Sequence, residues 1–239
     1  MTYYSYKDLE AIGNRVVAAY AKLPSGQRDG VFQIDPVHMA RELFHLSVEH
    51  FHLSQDGSVL GLTSPMEVGV EVFDDQMESV IYFLDGRTIL MEKELLSDKF
   101  PLGRYNFTVM HELAHHLLFS LDANPARLRN LTARSDERDW PEWQADTLAS
   151  VLLMPEKLVR SVLNYVGVHG GIYLLDSALC PETYRKFRDA AAILGVSKTA
   201  LAIRLKRLGL LRHNDLSCPG GILDIYCEGG EPCCSNRAS

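Results

Sequence analysis

The stretch Phe107-Thr-Val-Met-His111-Glu112-Leu-Ala-His115-His116-Leu-Leu-Phe119 decides how this chain folds. Its apolar residues recur at helical spacing on nearly every side, which predicts a helix buried in the core. On that helix His111 and His115 lie one turn apart on one face, so two imidazoles can converge on one metal ion. A buried Glu112 is costly unless something pairs with it, and beside a metal it could take a proton from water. The alternative is a core helix whose polar residues are satisfied by hydrogen bonds; the spacing favours the metal site.

A second stretch, Asp139-Trp-Pro-Glu142-Trp-Gln-Ala-Asp146-Thr-Leu-Ala149, predicts the helix that completes this site. Proline suits the first turn of a helix, and Met154-Pro155 ends it. A catalytic zinc needs three protein ligands and one open position. Glu142 can supply the third ligand, and Asp146, one turn on, could accept the spare N–H of a ligand histidine. These acids could also belong to a solvated helix start, but beside the histidine pair we favour the ligand interpretation.

Three motifs occur in order along the chain: Gly86-Arg-Thr-Ile-Leu, then Gly103-Arg-Tyr-Asn-Phe-Thr-Val-Met-His-Glu-Leu-Ala-His-His-Leu-Leu, then Glu142-Trp-Gln-Ala-Asp-Thr-Leu-Ala-Ser-Val-Leu-Leu-Met-Pro155. Together they resemble the ImmA/IrrE metallopeptidase family, over residues 5 to 212. The resemblance implies that His111, His115 and Glu142 bind Zn²⁺ and that Glu112 is the catalytic base. Asp146 is a departure, since the family often has Asn there.

The resemblance also implies a fold and a function. We expect an α+β protein, with a zincin-like, mainly helical peptidase core and a small antiparallel sheet in residues 1–175. A helix-turn-helix-like segment (176–212) and a Cys/Gly-rich, flexible tail (213–239) should follow. The implied activity is that of an intracellular zinc metalloendopeptidase that cleaves a helix-turn-helix repressor, in a mobile element or a stress response. The alternative is a DNA- or protein-binding regulator that keeps zinc without proteolysis.

Composition sets outer bounds on these interpretations. The chain has 239 residues, 46% hydrophobic and 23% charged, as expected of a globular protein of one or two domains. A formal charge of −7 argues against bulk nucleic-acid binding. No apolar run approaches the ~20 residues that span a bilayer, and the first residues lack a secretory-signal pattern. Five cysteines do not form the framework of a secreted domain, so a cytoplasmic location is expected.

Periodicity predicts the remaining elements of the first 175 residues. Helices are expected over 6–23, 36–44 and 155–168. Strands are expected over 46–53, 67–73, 81–83 and 88–92, in a small antiparallel sheet whose edge could hold substrate. His50 and His52 alternate within the first of these strands, and we expect them on a sheet face rather than on a metal.

Residues 182–212 show the pattern of a helix-turn-helix: a helix, Gly195 at a break, Ser197 as N-cap, and a basic helix. This stretch holds eight Lys and Arg against two acids, which could face phosphates. The alternative is a helical pair that packs on the core with Arg204, Lys206 and Arg207 in solvent. Because the whole chain is acidic, we favour that alternative, and DNA binding is possible but not favoured.

Several residues keep more than one interpretation. The tail cysteines could bind a structural zinc, but their spacing lacks paired C-x-x-C knuckles, and a flexible tail with reduced thiols is favoured; they are Cys218, Cys227, Cys233 and Cys234. Cys180 is expected to be a lone structural thiol. His116 lies about 100° around the helix from His115 and should pack or support the site. An oxyanion donor is also needed, and His116, Tyr105 and Tyr184 remain open candidates.

Overall fold

The computed structural model describes residues 3–23, 33–121 and 140–212. The chain divides into two compact units, Met1–Pro155 and Glu156–Ser239. This division comes earlier than the domain boundary expected at residue 175, and the domain assignment itself stays a prediction. The four tail cysteines lie outside the described residues.

Four helices of the described residues build most of the first unit: α1 (Tyr6–Tyr20), α2 (Pro36–Phe44), α3 (Leu102–Leu121) and α4 (Trp140–Leu153). Two of them begin where the sequence predicts. Ser5 and Asp8 form a capping box at the start of α1, and Asp35 caps α2 by accepting a hydrogen bond from the His38 amide.

Five strands lie between α2 and α3: β1 (Ser47–Phe51), β2 (Gly61–Thr63), β3 (Glu67–Phe73), β4 (Ser79–Asp85) and β5 (Thr88–Glu92). They form two sheets, one with the order β1-β5-β2 and one hairpin of β3 and β4. The expectation of a single antiparallel sheet is wrong, because β1 pairs with β5 in parallel and only β2 pairs with it antiparallel. The fully buried β5 takes a neighbour on each side, and the chain between β1 and β5 is long enough for the crossover that parallel strands need.

A small apolar cluster joins the two sheets, and a buried carboxylate lies beside it. Leu53, Val72, Leu84 and Leu90 form the cluster. Glu92, at the end of β5, accepts hydrogen bonds from the Leu53 amide (2.8 Å) and from His52 Nδ1 (3.0 Å). His50 lies 3.1 Å from the Tyr105 hydroxyl. Each of the two histidines thus has a hydrogen-bond partner close to the sheet, Tyr105 for His50 and Glu92 for His52.

The second unit contains α5 (Glu156–Tyr165), α6 (Pro181–Leu194) and α7 (Lys198–Arg207). Gly195 ends α6 in the left-handed region (φ 65°), and Ser197 caps α7 by accepting from the Ala200 amide. Arg204 is fully buried, so the expectation that it lies in solvent is wrong, whereas Lys206 and Arg207 are exposed. A DNA-binding role for this helical pair stays a prediction. Among the described residues, no helix has the length and apolar character needed to cross a membrane.

Candidate metal centre

The site forms where α3 and α4 pack together. On α3, Val109, Met110 and Leu113 are fully buried, so the helix is held by the core and its remaining face points to α4. On α4, Ala145 and Ala149 are fully buried, and their small side chains allow a close approach of the two helices. This packing places the residues of both sequence motifs opposite one another.

Three side chains that the sequence analysis singled out converge between these helices. The Nε2 atoms of His111 and His115 lie 3.0 Å apart, and Glu142 Oε2 lies 3.1 Å from the first and 3.4 Å from the second. Ligands bonded at ~2.0–2.1 Å to a tetrahedral zinc lie about 3.4 Å from one another. The three atoms therefore have the spacing of three ligands of one ion, and the set of two imidazoles and one carboxylate fits zinc. Their role as ligands stays a prediction.

Asp146 lies one turn further along α4, against the outer nitrogen of one histidine. Its Oδ1 is 2.9 Å from His111 Nδ1. A carboxylate at this position accepts a hydrogen bond from Nδ1–H. This fixes the orientation of the ring and leaves the Nε2 lone pair directed at the ion site. The contact is the one expected of Asp146, and its supporting role stays a prediction.

The electrostatics of the metal-free site favour this arrangement. Burial alone would lower the pKa of His111, but the hydrogen bonds with Asp146 and Glu142 outweigh it and raise that pKa to about 10. The hydrogen bonds from His111 and His115 hold the pKa of Glu142 well below its usual range. Without metal, protonated His111 and the carboxylates of Glu142 and Asp146 therefore attract one another and hold the side chains together.

Glu112 occupies a different environment beside the same histidines. Only 7% of it is exposed, and burial raises the pKa of its carboxyl, although the two imidazoles oppose the shift. A carboxylate with an increased proton affinity next to a metal site is suited to general-base catalysis. The structure thus keeps Glu112 close to the candidate ligands without making it part of the converging set.

Gly61, on β2, is a site residue that the sequence analysis missed. A Cβ built on Gly61 would lie 2.7 Å from Glu112 Oε1, so the strand passes directly against the carboxylate. The signal that could have found it is the run Val59-Leu-Gly61-Leu, because a glycine inside an apolar run marks a close approach of the backbone.

The strand that carries Gly61 has a free edge within the described sheets. β2 ends the order β1-β5-β2. The Leu60 carbonyl accepts a hydrogen bond from the Glu92 amide (2.9 Å), and hydrogen-bonded pairs alternate along an antiparallel ladder. The amide and carbonyl of Gly61 and Thr63 therefore point away from β5, where they can pair with an extended peptide.

The remaining candidates take no assigned part in the site. His116 is half-buried, burial lowers its pKa, and it is not among the three converging residues. The Tyr105 hydroxyl is hydrogen-bonded to His50, and Tyr184 is a buried residue of the second unit. These contacts do not favour any one of the three residues as the oxyanion donor.

Comparison with known families adds one finding. The family model Peptidase_M78, described as the IrrE N-terminal-like domain, matches residues 67–206. The match begins at β3, covers both helices of the candidate metal centre, and continues to the last turn of α7. A search of curated proteins found no match for the chain.

Proposed function

The chain belongs to the ImmA/IrrE metallopeptidase family, and from that premise we propose that it is a zinc-dependent endopeptidase that cleaves a helix-turn-helix transcriptional repressor inside the cell. One observation carries the proposal for zinc. Two imidazole nitrogens and a carboxylate oxygen converge at the spacing of tetrahedral ligands, with a buried glutamate beside them. The repressor as substrate rests on the resemblance of the sequence motifs.

His111, His115 and Glu142 would hold the ion, and Asp146 would orient the first of them. A zinc ion bound there would polarise the scissile carbonyl and increase the acidity of a water molecule. Because Glu142 is about half exposed, with 48% of its side chain accessible, the ion site opens towards solvent on the α4 side. Water and substrate can enter there.

Glu112 would move the proton. Hydrolysis adds hydroxide to the carbonyl carbon and a proton to the amine as the C–N bond breaks. The Glu112 carboxylate would accept a proton from the attacking water and then donate the same proton to the leaving nitrogen. Burial favours the first step, because it increases the proton affinity of the carboxylate, and it limits the competing water around the group during both.

The free edge of β2 supports an extended protein substrate. A peptide strand paired with the backbone of Gly61 and Thr63 would lie beside Glu112, since Gly61 is in contact with that side chain. Main-chain pairing holds a peptide in register with little dependence on its side chains. Selection of one protein substrate therefore needs further contacts elsewhere.

The test uses the full chain, with helix-turn-helix regulators from neighbouring genes as the candidate substrates. Elemental analysis should find one zinc per chain, and the wild type should cleave one of these regulators. Glu112→Gln should keep the zinc and lose at least about 100-fold in cleavage rate, whereas His111→Ala should lose both. His169→Ala, at an exposed histidine of the second unit, is the matched control and should lose neither.

Two results would overturn the proposal. One is cleavage by Glu112→Gln at the wild-type rate, which would leave a zinc-containing regulator as the alternative. The other is a zinc content of His111→Ala equal to that of the wild type, which would place the metal elsewhere.

A further inference from the structure

The hairpin of β3 and β4 presents two very different faces. Opposite residues of an antiparallel pair share a face, and the register pairs Glu67 with Asp85, Gly69 with Phe83, and Glu71 with Ile81. We call these six residues the hairpin face. All six are exposed. The other side of the hairpin carries Val72 and Leu84, which belong to the apolar cluster of the first unit, and Val70 and Tyr82, which pack against that cluster.

Two large apolar side chains stand at the centre of the hairpin face. Phe83 is 76% exposed and Ile81 is 56% exposed. The Phe83 ring lies over Gly69, where a Cβ would come within 3.3 Å of it, so the ring is supported from below and open above. Apolar surface of this kind, rimmed by polar residues, is typical of a protein interaction site.

The charged side chains of the two strands and of the turn between them all have one sign. Residues 67–85 include six acids and not a single Lys or Arg. Asp75 is paired with Lys93, but Glu67, Glu71 and Asp85 belong to the hairpin face itself, where basic side chains are absent. Acidic groups within a Debye length of about 8 Å from an apolar centre attract a partner that is both basic and apolar. They also repel the same face of a second copy.

The hairpin face is joined to the candidate metal centre by a short stretch of chain. β2 ends at Thr63 and β3 begins at Glu67, and Gly86, just after β4, lies against the Pro65 backbone. Gly69 is eight positions after Gly61, so the two are at most about 28 Å apart. One protein substrate could therefore reach the edge of β2 with a cleavable segment and the hairpin face with another.

We propose that the hairpin face is an exosite that holds a basic, apolar segment of the protein substrate while β2 pairs with the segment to be cleaved. The identity of the occupant as substrate rests on the proposed function. DNA-binding regulators carry basic segments that face phosphates, which gives them the charge this surface selects. The exosite would supply the selectivity that main-chain pairing at β2 lacks.

Binding is tested apart from catalysis, with the full-length Glu112→Gln protein. The probe is a fluorescein-labelled helical peptide of repeated Leu-Lys-Lys-Leu, and its partner probe has Glu in place of Lys. Fluorescence anisotropy should show binding of the basic probe alone, weakening as salt increases. The double variant Ile81→Thr with Phe83→Ser should bind it at least about tenfold more weakly. Glu67→Gln with Glu71→Gln should weaken binding and reduce its dependence on salt.

Matched controls distinguish binding at this surface from nonspecific binding to exposed aromatic residues or to acidic residues elsewhere on the protein. Tyr165→Ser with Tyr173→Ser removes two residues of comparable exposure in the second unit, and Glu42→Gln with Asp98→Asn removes two exposed acids of the first. Both should bind the basic probe like the parent. Equal binding by the hairpin-face variants and their controls, or no binding by the parent, would overturn the exosite.

The two proposals fail separately. In cleavage of the regulator, hairpin-face variants should show an increased KM with kcat and zinc content unchanged. If Glu112→Gln cleaves normally while the hairpin-face variants lose binding, the catalytic proposal fails and the surface stands. If Glu112→Gln is inactive while those variants bind and cleave like wild type, the surface fails alone.

Discussion

At the scale of single residues, Gly61 and Glu112 depend on each other. Glu112 lies in a fully packed part of α3, between buried neighbours such as Leu113, so its carboxylate has little room to move. On the strand side, Gly61 has no side chain, and this leaves the space that the Glu112 carboxylate occupies. The position of the candidate base is thus set partly by a residue on another element.

Gly61→Ala tests that dependence. The new Cβ would meet Oε1, Cγ and Cδ of Glu112 at 2.7, 2.8 and 3.0 Å, so the strand or the carboxylate must shift. Because displacement of a catalytic group by about 1 Å can cost up to ~100-fold in rate, we expect peptidase activity to fall at least tenfold with zinc content unchanged. Rate assays and elemental analysis would check this, with Thr63→Ser on the same strand as the control. Full activity of Gly61→Ala would contradict the close contact.

Asp146 allows a second prediction, which concerns the metal-free protein. The pKa of His111 is raised from 6.5 to about 10, so its protonated form stabilises the fold. That contribution is complete below pH 6.5 and is lost as the pH rises towards about 10. Asp146→Asn removes a main cause of the raised pKa. The Tm of the chelated wild type should therefore exceed that of the variant most at about pH 6, with the gap closing by about pH 10.

Thermal melts of both proteins across this range, with chelator present, give the measurement. Each kcal/mol corresponds to about 2–4 °C of Tm in a chain of this size. A gap that widens as the pH rises would show that His111 is not the group responsible.

At the scale of elements, the contact of α1 with α4 supports the helix that carries Glu142. Gly13 of α1 is so close to Val151 of α4 that an added Cβ would lie 2.5 Å from Val151 Cγ1. Both residues are buried. The two helices thus approach closely because a glycine faces a branched side chain.

Gly13→Ala should destabilise the protein, because the clash forces the helices apart; overpacking of this kind typically costs about 1–3 kcal/mol. Val151→Ala leaves a small cavity and is also destabilising. In the double variant the new methyl group occupies the space that the valine left, so the combined loss should be smaller than the sum of the single losses. Denaturant unfolding of the four proteins measures the coupling. Strict additivity would mean that these two residues do not touch.

The elements differ in how far the sequence predicts them. The helices α3 and α4 follow from apolar periodicity and from prolines at the ends of α4, which are local signals. The parallel pairing of β1 with β5 and the three-residue strand β2 depend on contacts between distant residues, which periodicity does not encode.

The candidate site shows the same contrast. The spacing of His111 and His115 on one helix predicts their convergence, and Glu142 follows once a third ligand is required. The contact of Gly61 with Glu112 joins residues 51 positions apart, and the burial of Arg204 likewise depends on tertiary packing. Neither has a sequence signal beyond a glycine in an apolar run and a basic residue in an amphipathic helix.

At the scale of the whole molecule, the two compact units can be followed by different signals. Both tryptophans of the chain, Trp140 and Trp143, belong to α4 in the unit Met1–Pro155. Tryptophan fluorescence therefore reports the unit that holds the candidate metal centre. Far-ultraviolet circular dichroism reports helices of both units.

Removal of metal should destabilise the first unit selectively. An ion present at a thousandfold excess over its Kd stabilises the fold that binds it by about 4 kcal/mol, because the unfolded chain lacks the assembled ligands. Chelation should therefore lower the midpoint of the fluorescence transition by about 8–16 °C, at about 2–4 °C per kcal/mol. The His111→Ala variant should melt near the chelated midpoint and respond little to chelator, while His169→Ala should behave like wild type. If the fluorescence transition of the wild type is unmoved by chelator, α3 and α4 hold together without an ion, and the converging side chains are a structural ion-pair cluster.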